Sequence, residues 1–270
     1  MPVTKVGSDV DVTYRQSGQL ATITFNRPDQ RNRLTPAAMA LARGFIEQGV
    51  ADPRVRVLVI TGTGSTFCSG ADLGAAVAEG GDNFTGAGPG ELALLLSAIL
   101  DCPKPTIARV QGHVAAGGTG LVAACDIAIA VENATFAFSE VRLGLAPAVI
   151  SVVCLGVMNR RDAQELLLSG ARVDAQRVLR AGLLTGVVSA ESEVSGALDT
   201  EVSRYAEMFA KAGPLALAHT KELLRRVPTL SRVDGFTWTT ELSAGIFSSA
   251  EGLEGMSAYL GKRQPNWDES

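Results

Sequence analysis

The chain has 270 residues, of which 46% are hydrophobic and 19% are charged, and this globular composition excludes a disordered or collagen-like protein. A formal net charge of -4 and an aromatic content of 5% disfavour nucleic acid as a partner, because phosphates need a basic surplus and single strands need stacking platforms. The four cysteines form no Cys-x-x-Cys pair and there are two histidines, which disfavours a metal site.

The sequence contains no pattern typical of export or of a membrane span. The N-terminal residues lack a basic start followed by an apolar stretch, so we expect no secretory signal. The longest uncharged run, 143–159, is interrupted by Gly144, Pro147 and Gly156, and it is short for a span. Together with widely spaced, reduced cysteines, these features predict a cytoplasmic protein with a buried segment at 143–159 and no membrane partner.

The first half of the chain alternates apolar strands with helices. Apolar and polar residues alternate over Leu20–Phe25, which predicts a half-buried strand. Thr35-Pro36 predicts a helix start, because a capping hydroxyl precedes a proline at the first helical position. The same reasoning predicts strands at 55–60, 106–110, 126–131 and 135–138, and helices at 92–100 and 121–125. A unit of strand, turn or short strand, and helix therefore recurs, which predicts an α/β core.

The second part of the chain is predicted to be helical. Helices are expected at 161–169 and 174–181, followed by a helical region from about Glu191 to Leu260. Within that region Pro214 indicates a helix start and Pro228 a break. The predicted organisation is thus an α/β core over residues 1–190 and a helical C-terminal region over residues 191–270.

Two glycine-rich segments, Phe67–Leu73 and Ala115–Gly120, each follow an apolar strand and are predicted to be turns, the second within a turn spanning 111–120. The second segment opens a helix, and a helix N-terminus offers free N–H groups to an anion or a developing oxyanion. The alternative is that these glycines only permit tight turns and close packing. Neither segment matches a dinucleotide fingerprint or a P-loop.

Glu140 follows a predicted strand and stands at the mouth of an apolar segment, where burial raises a carboxyl pKa and favours general acid or base chemistry. The alternative is an exposed glutamate at a strand end. His113 lies between a strand and a glycine turn. It is either a packed neutral side chain or a residue of the site. His219 is predicted to lie on an ordinary helix face, and the absence of Gly-x-Ser-x-Gly disfavours a serine nucleophile.

Four segments taken together resemble the crotonase (enoyl-CoA hydratase/isomerase) superfamily, and the resemblance covers essentially the whole chain. They are residues 20–28, 55–73, 104–131 and 135–147, which include ITFNRP, VRVLVITGTGSTFCSGADL, KPTIARVQGHVAAGGTGLVAACDIAIA and ATFAFSEVRLGLAPA. The C-terminal EGMSAYLGKRQPNW agrees as well. No single motif is strong, but the joint occurrence of these motifs in this order is specific.

The resemblance implies a spiral of ββα units followed by a helical trimerisation region, assembled as a homotrimer or a dimer of trimers. The implied ligand is an acyl-CoA thioester, bound by the 1–190 core, with no cofactor beyond the coenzyme A of the substrate and no metal. The backbone N–H groups of Ala71 and Gly117 resemble an oxyanion hole, while Asp72 and Leu73 would line the pantetheine arm. The implied substrate-binding or CoA-binding residues are Ala71, Asp72, Leu73, His113, Gly117, Gly118 and Gly120.

The sequence departs from the family pattern at one catalytic position. Hydratases of this family commonly carry two glutamates, and here Glu140 matches the second whereas Gly120 stands at the first. A lone carboxylate resembles the Δ3,Δ2-enoyl-CoA isomerases, but SEVRLGLAPAVIS is similar to bacterial 3-methylglutaconyl-CoA hydratase-like members. We predict an enoyl-CoA hydratase with Glu140 as general acid and base. An isomerase and a non-catalytic acyl-CoA-binding homologue are the alternatives.

Overall fold

A computed structural model of the chain describes residues 10–72, 87–189 and 194–268. Strands and helices alternate through the first two ranges, and helices make up most of the third. The strands are β1 (Val12–Ser17), β2 (Leu20–Phe25), β3 (Val57–Gly62), β4 (Thr66–Cys68), β5 (Thr106–Val110), β6 (His113–Ala115), β7 (Ile127–Val131), β8 (Thr135–Ala137), β9 (Arg172–Asp174) and β10 (Gly186–Val188).

In the first part of the chain, a helix follows each pair of successive strands. The α-helices are α1 (Pro36–Ala51), α2 (Ala87–Asp101), α3 (Gly117–Ala124), α4 (Ala148–Val157), α5 (Arg160–Ser169), α6 (Ala175–Arg180), α7 (Val194–Ala210), α8 (Pro214–Arg226), α9 (Arg232–Ser248) and α10 (Ala250–Leu260). Short 3-10 helices lie at Pro28–Gln30, Ser139–Leu143, Val227–Thr229 and Asn266–Asp268. None of the helices in the described ranges is long and apolar enough to cross a membrane.

From β3 to β8, successive strands alternate between two sheets. The larger sheet has the order β1-β2-β3-β5-β7-β10 and is parallel apart from the β1–β2 hairpin. The smaller sheet has the order β4-β6-β8-β9, with β4, β6 and β8 parallel. In this region the chain places one strand in the larger sheet and the next in the smaller sheet, and a helix then leads back to the larger sheet. The predicted α/β spiral of ββα units is therefore confirmed.

Most predicted elements agree with the structure to within a few residues. β2 and β5 have the predicted bounds, whereas β3 begins two residues later than expected. Helix α1 begins at the predicted proline, and the N–H of Ala38 donates to the capping Oγ1 of Thr35 at 3.1 Å. The break at Pro228 is confirmed, because a 3-10 turn separates α8 from α9 there.

Three predictions from the sequence are wrong. The predicted turn at 111–120 contains strand β6 and the first turn of α3, and the first glycine-rich segment, Phe67–Leu73, begins within β4. These three-residue strands are too short to give a clear pattern, and pairing of β6 with β4 and with β8 determines their conformation. The segment 143–159, expected to be buried, forms α4, which buries Ile150 but leaves Val152 78% exposed.

The C-terminal helices are joined to the core by packing and by a charged link. Helix α7 contacts the larger sheet, where Leu198 is fully buried, while the expected boundary at 190/191 lies outside the described residues. Lys221 of α8 pairs with Asp126 at 2.6 Å, and the same carboxylate accepts the N–H of Thr106 at 2.7 Å. The C-terminal helices are therefore held against the end of the larger sheet.

Candidate active site

The two glycine-rich segments meet at one edge of the smaller sheet. Strands β4, β6 and β8 are parallel, so their carboxyl ends share that edge. Gly70, just beyond β4, has φ +90°, and a Cβ there would lie 3.2 Å from the N of Gly117 and 2.7 Å from the Cβ of Ala116. Only glycine permits this approach, which brings Ala71 next to the start of α3.

The start of α3 is held in an unusual backbone conformation. Ala116 has φ 47° and ψ -121°, a region that alanine rarely adopts. Its N–H donates to the carbonyl of Ala137 at 3.0 Å, and its carbonyl accepts the N–H of Thr119 at 2.9 Å and the Thr119 hydroxyl at 2.7 Å. Within the described residues, the N–H groups of Gly117 and Ala71 donate to no protein acceptor. Both amides are therefore available to a ligand.

Glu140 reaches the same edge from the strand next to β6. It lies in the 3-10 helix that follows β8, closed by Gly144 in a left-handed conformation. Its Oε2 is buried without a hydrogen-bond partner in the described part of the chain. Burial raises the pKa of this carboxyl above its usual value because the ionised form loses solvation, and the hydrogen bond from the Glu140 backbone N–H offsets only part of that rise. A carboxyl in this state accepts and returns protons closer to neutral pH than an exposed glutamate.

The position of the expected first glutamate holds no carboxylate and no free space. Gly120 is fully buried in α3, and a Cβ built there would lie 2.6 Å from Cγ2 of Ile150 and 3.4 Å from Cδ1 of Leu96. One turn beyond Ile150, the Cys154 thiol donates to the carbonyl of Thr119 at 3.8 Å. Burial raises the pKa of Cys154 to about 12, and the charge of Glu140 adds to that rise. Helix α4 thus contacts α3 at Gly120 through Ile150, and its Cys154 lies near Glu140.

The remaining residues implied at the site lie in different surroundings. Asp72, next to Ala71, is 12% exposed and forms an ion pair of 3.1 Å with Arg33. Leu73 lies outside the described residues. Gly118 is buried, and a Cβ there would lie 2.6 Å from the carbonyl oxygen of Cys68, so this glycine lets α3 pack closely against β4.

His113 is not brought to this edge. It begins β6, opposite Thr66 of β4, so it stands at the amino ends of the parallel strands, away from Gly117. Its Nδ1 is 2.9 Å from Oγ1 of Thr135. Burial and then the charge of Arg172 lower its pKa, which favours a neutral, packed imidazole. Of the two readings of His113, the structure supports the packed side chain.

Two residues beside the site were missed by reasoning from the sequence. Ile150 was missed because it contacts Gly120 across 30 positions of sequence. The signal was weak: the apolar run after Pro147 fits a helix, and Ile150, Val153 and Cys154 have the spacing of one helix face. Arg33 gave no signal beyond its charge.

The chain resembles known proteins over nearly its whole length. The family model described as enoyl-CoA hydratase/isomerase matches residues 15–270. The chain is 33% identical over 254 residues to a Thermus thermophilus protein provisionally named enoyl-CoA hydratase, covering 93% of this chain and 98% of that protein. It is 32% identical to the carnitinyl-CoA dehydratase of Citrobacter koseri, over 94% of this chain and 97% of the relative. A crystal structure of an enoyl-CoA hydratase from Shewanella pealeana superposes with a TM-score of 0.88 at 31% identity, covering 96% of each chain.

Proposed function

The chain belongs to the enoyl-CoA hydratase/isomerase family, and on that basis we propose that it adds water to a 2-enoyl-CoA thioester. The observation that carries this proposal is the buried, unpartnered Oε2 of Glu140 at the edge where both glycine-rich segments end. Hydration needs a base for water and a proton source for carbon 2, and one carboxyl performs both tasks in succession. The names of the relatives, two hydratases and a dehydratase, support the same reaction class.

In the proposed reaction the N–H groups of Ala71 and Gly117 donate to the thioester carbonyl oxygen. Glu140 takes a proton from water, and the resulting hydroxide forms a bond to carbon 3. The electron pair of the C2=C3 bond then moves toward the carbonyl oxygen, where the two amides stabilise the enolate. Glu140 returns its proton to carbon 2, so water has been added and the carboxylate is regenerated. No cofactor is needed beyond the coenzyme A that the substrate carries.

Binding of the remaining substrate is assigned to the residues next to the two amides. We propose that Asp72 and Leu73 line the pantetheine arm and that the backbone of Gly118 and Gly120 shapes the thioester end. The ion pair of Asp72 with Arg33 places a cation beside this path, where it favours the phosphates of coenzyme A. The half-buried imidazole of His113 lies at the opposite strand ends, so its implied role in binding has the least support.

A Δ3,Δ2-enoyl-CoA isomerase is the second candidate, and the absence of a carboxylate at Gly120 favours it. An isomerase needs one base that moves a proton between carbons 2 and 4 and no positioned water. A non-catalytic acyl-CoA-binding protein is the third candidate, but such a protein has no need for a desolvated carboxylate such as Glu140.

A turnover assay with crotonyl-CoA, 3-methylglutaconyl-CoA and a 3-enoyl-CoA separates the three candidates. The hydratase proposal predicts 3-hydroxyacyl-CoA from a 2-enoyl substrate. Formation of the 2-enoyl thioester from the 3-enoyl substrate, without hydration of any 2-enoyl substrate, would establish the isomerase instead. Binding of all three thioesters with no product would establish the non-catalytic protein.

We also propose that the chain assembles as a homotrimer or a dimer of trimers through residues 191–270. The C-terminal helices expose large apolar side chains, among them Phe236 at 68%, Phe247 at 64% and Tyr259 at 84%. Exposed apolar groups of this size are typical of an interface. Light scattering at micromolar concentration is expected to give three or six times the 28.1 kDa of one chain. A mass of 28.1 kDa would contradict this assembly.

A further inference from the structure

Helices α3 and α4 approach each other most closely at Gly120 and Ile150. A Cβ at position 120 would lie 2.6 Å from Cγ2 and 3.2 Å from Cβ of Ile150, distances at which one of the two groups must move. Ile150 is 2% exposed, and its neighbours Val153 and Cys154 on the same helix face are buried as well. Any side chain at position 120 therefore competes with Ile150 for the same volume.

The Ile150 side chain cannot easily move out of that volume. Its β-branched side chain has one strongly preferred rotamer in a helix, so the Cγ2 methyl has no easy alternative position. A Cβ at position 120 would also lie 3.4 Å from Cδ1 of Leu96. A side chain at position 120 would thus meet core side chains of both α2 and α4.

Position 120 lies close to the groups of the proposed chemistry. It is three residues beyond Gly117, and residues at this spacing share a helix face. Cys154 of α4 lies near both Glu140 and Gly120: its thiol donates to the carbonyl of Thr119, the residue before Gly120, and the charge of Glu140 raises its pKa. A carboxylate at position 120 would therefore belong to the same site as Glu140.

We propose that Ile150 is a specificity-determining positioning residue, which occupies the volume of a side chain at position 120 and so restricts the site to the single carboxylate of Glu140. The steric part of this proposal is independent of the reaction, whereas its catalytic part rests on the proposed hydration. With glycine at position 120 and isoleucine at position 150, the Glu140 carboxyl must act as both the base and the acid. Pairing a glutamate at position 120 with a glycine at position 150 would supply a second group to hold water.

The steric part is tested by thermal unfolding of Gly120→Ala, Ile150→Gly and the double variant. Alanine is a better helix former than glycine, so Gly120→Ala lowers Tm only if the new Cβ meets a fixed neighbour. We expect a fall of ~2–10 °C, which overpacking in a domain of this size produces, and we expect most of it to disappear when Ile150 is glycine. Gly44→Ala is the matched control, since Gly44 is exposed in α1 and a Cβ there would meet no atom within 4 Å, so its Tm should not fall.

The catalytic part is tested in the background that has room for a new side chain. In Ile150→Gly, Gly120→Glu is compared with Gly120→Gln, which has the same shape but takes up no proton. We expect the glutamate to raise kcat for crotonyl-CoA at least about tenfold over the glutamine, with little change in KM, because general acid–base help acts on the chemical step. The acid limb of kcat/KM is expected to reflect two interacting carboxyls instead of one. If Ile150→Gly does not fold, Ile150→Ala replaces it and leaves only the 3.2 Å contact.

The two parts fail separately. A Tm for Gly120→Ala at or above that of the unchanged protein would overturn the inference whatever the enzyme catalyses. Equal kcat for glutamate and glutamine at position 120, in a background that hydrates crotonyl-CoA, would overturn the assignment of Ile150 as specificity-determining. If no variant hydrates any thioester, the proposed function fails, and the Tm comparison still decides whether Ile150 excludes a side chain at position 120.

Discussion

Replacing Glu140 with glutamine is expected to lower kcat by ~10²–10⁴-fold, which is the usual contribution of a positioned general acid or base. Glutamine keeps the shape of the side chain but neither accepts nor returns a proton, so KM for the thioester should change little. Steady-state turnover of the best substrate measures the effect. Glu132→Gln is the matched control, because Glu132 is an exposed glutamate in the turn after β7 and should leave kcat unchanged.

The same variant should be more stable than the unchanged protein at neutral pH. The pKa of Glu140 is raised in the folded state, so folding favours the protonated carboxyl, and that advantage is complete below its ordinary value of about 4.5. It is lost as pH rises through the folded-state pKa, because the ionised group is partly buried and its Oε2 has no hydrogen-bond partner in the described residues. Glutamine has no such loss. As pH rises from 4 to 7, the Tm of Glu140→Gln should therefore increase relative to the Tm of the unchanged protein. Full turnover together with an unchanged Tm would identify Glu140 as an ordinary surface residue.

Replacing Gly117 with proline is expected to lower kcat by ~10²–10³-fold, which is the loss typical for one oxyanion-hole donor. Proline removes the N–H that we assign to the thioester carbonyl, and its fixed φ suits the first position of a helix, where α3 begins. Because the amide has no protein acceptor in the described residues, no internal hydrogen bond is lost. Assembly should be unchanged. Because a proline also restricts the backbone of the preceding Ala116, turnover of crotonyl-CoA and the mass in solution are measured together, and a loss of turnover counts only in a variant that still assembles.

Gly117→Ala is the control for the Cβ that proline adds. Both substitutions place a Cβ 3.1 Å from Cδ1 of Leu34 and 3.4 Å from Cδ2 of Leu92, which are the ends of flexible side chains. Only alanine keeps the N–H, so it should retain most of the activity. Equal losses in the two variants would mean that the added carbon atoms inactivate the enzyme, and the assignment of the Gly117 amide would be wrong.

The framework of the fold could be predicted from local patterns because local chemistry determines it. The alternation in Leu20–Phe25 and the Thr35-Pro36 cap place β2 and the start of α1 correctly. The edge of the smaller sheet that gathers Ala71, Gly117 and Glu140 was reached only through the resemblance to a family. No pattern within the glycine-rich segments indicates that they follow neighbouring parallel strands.

What the sequence could not reveal depends on contacts between distant segments. The strand β6 consists of His113, Val114 and Ala115, and its pairing with β4 and β8 decides its conformation. In the same way, the absence of a glutamate at Gly120 was visible in the sequence, but the lack of space for a side chain there was not. The Cγ2 methyl of Ile150 fills that space, and this contact becomes visible only when α4 is packed against α3.

The backbone of Ala116 has a consequence for how the substrate is received. A non-glycine residue in this conformation costs on the order of 1–3 kcal/mol, and the surrounding fold must outweigh that cost. The Ala137 carbonyl and the Thr119 hydroxyl hold the strained turn without any ligand. The amide of Gly117, which we propose as a donor to the thioester carbonyl, is therefore preorganised: it is held in place before a ligand arrives, and the proposed hydrogen bond would require no rearrangement of the protein.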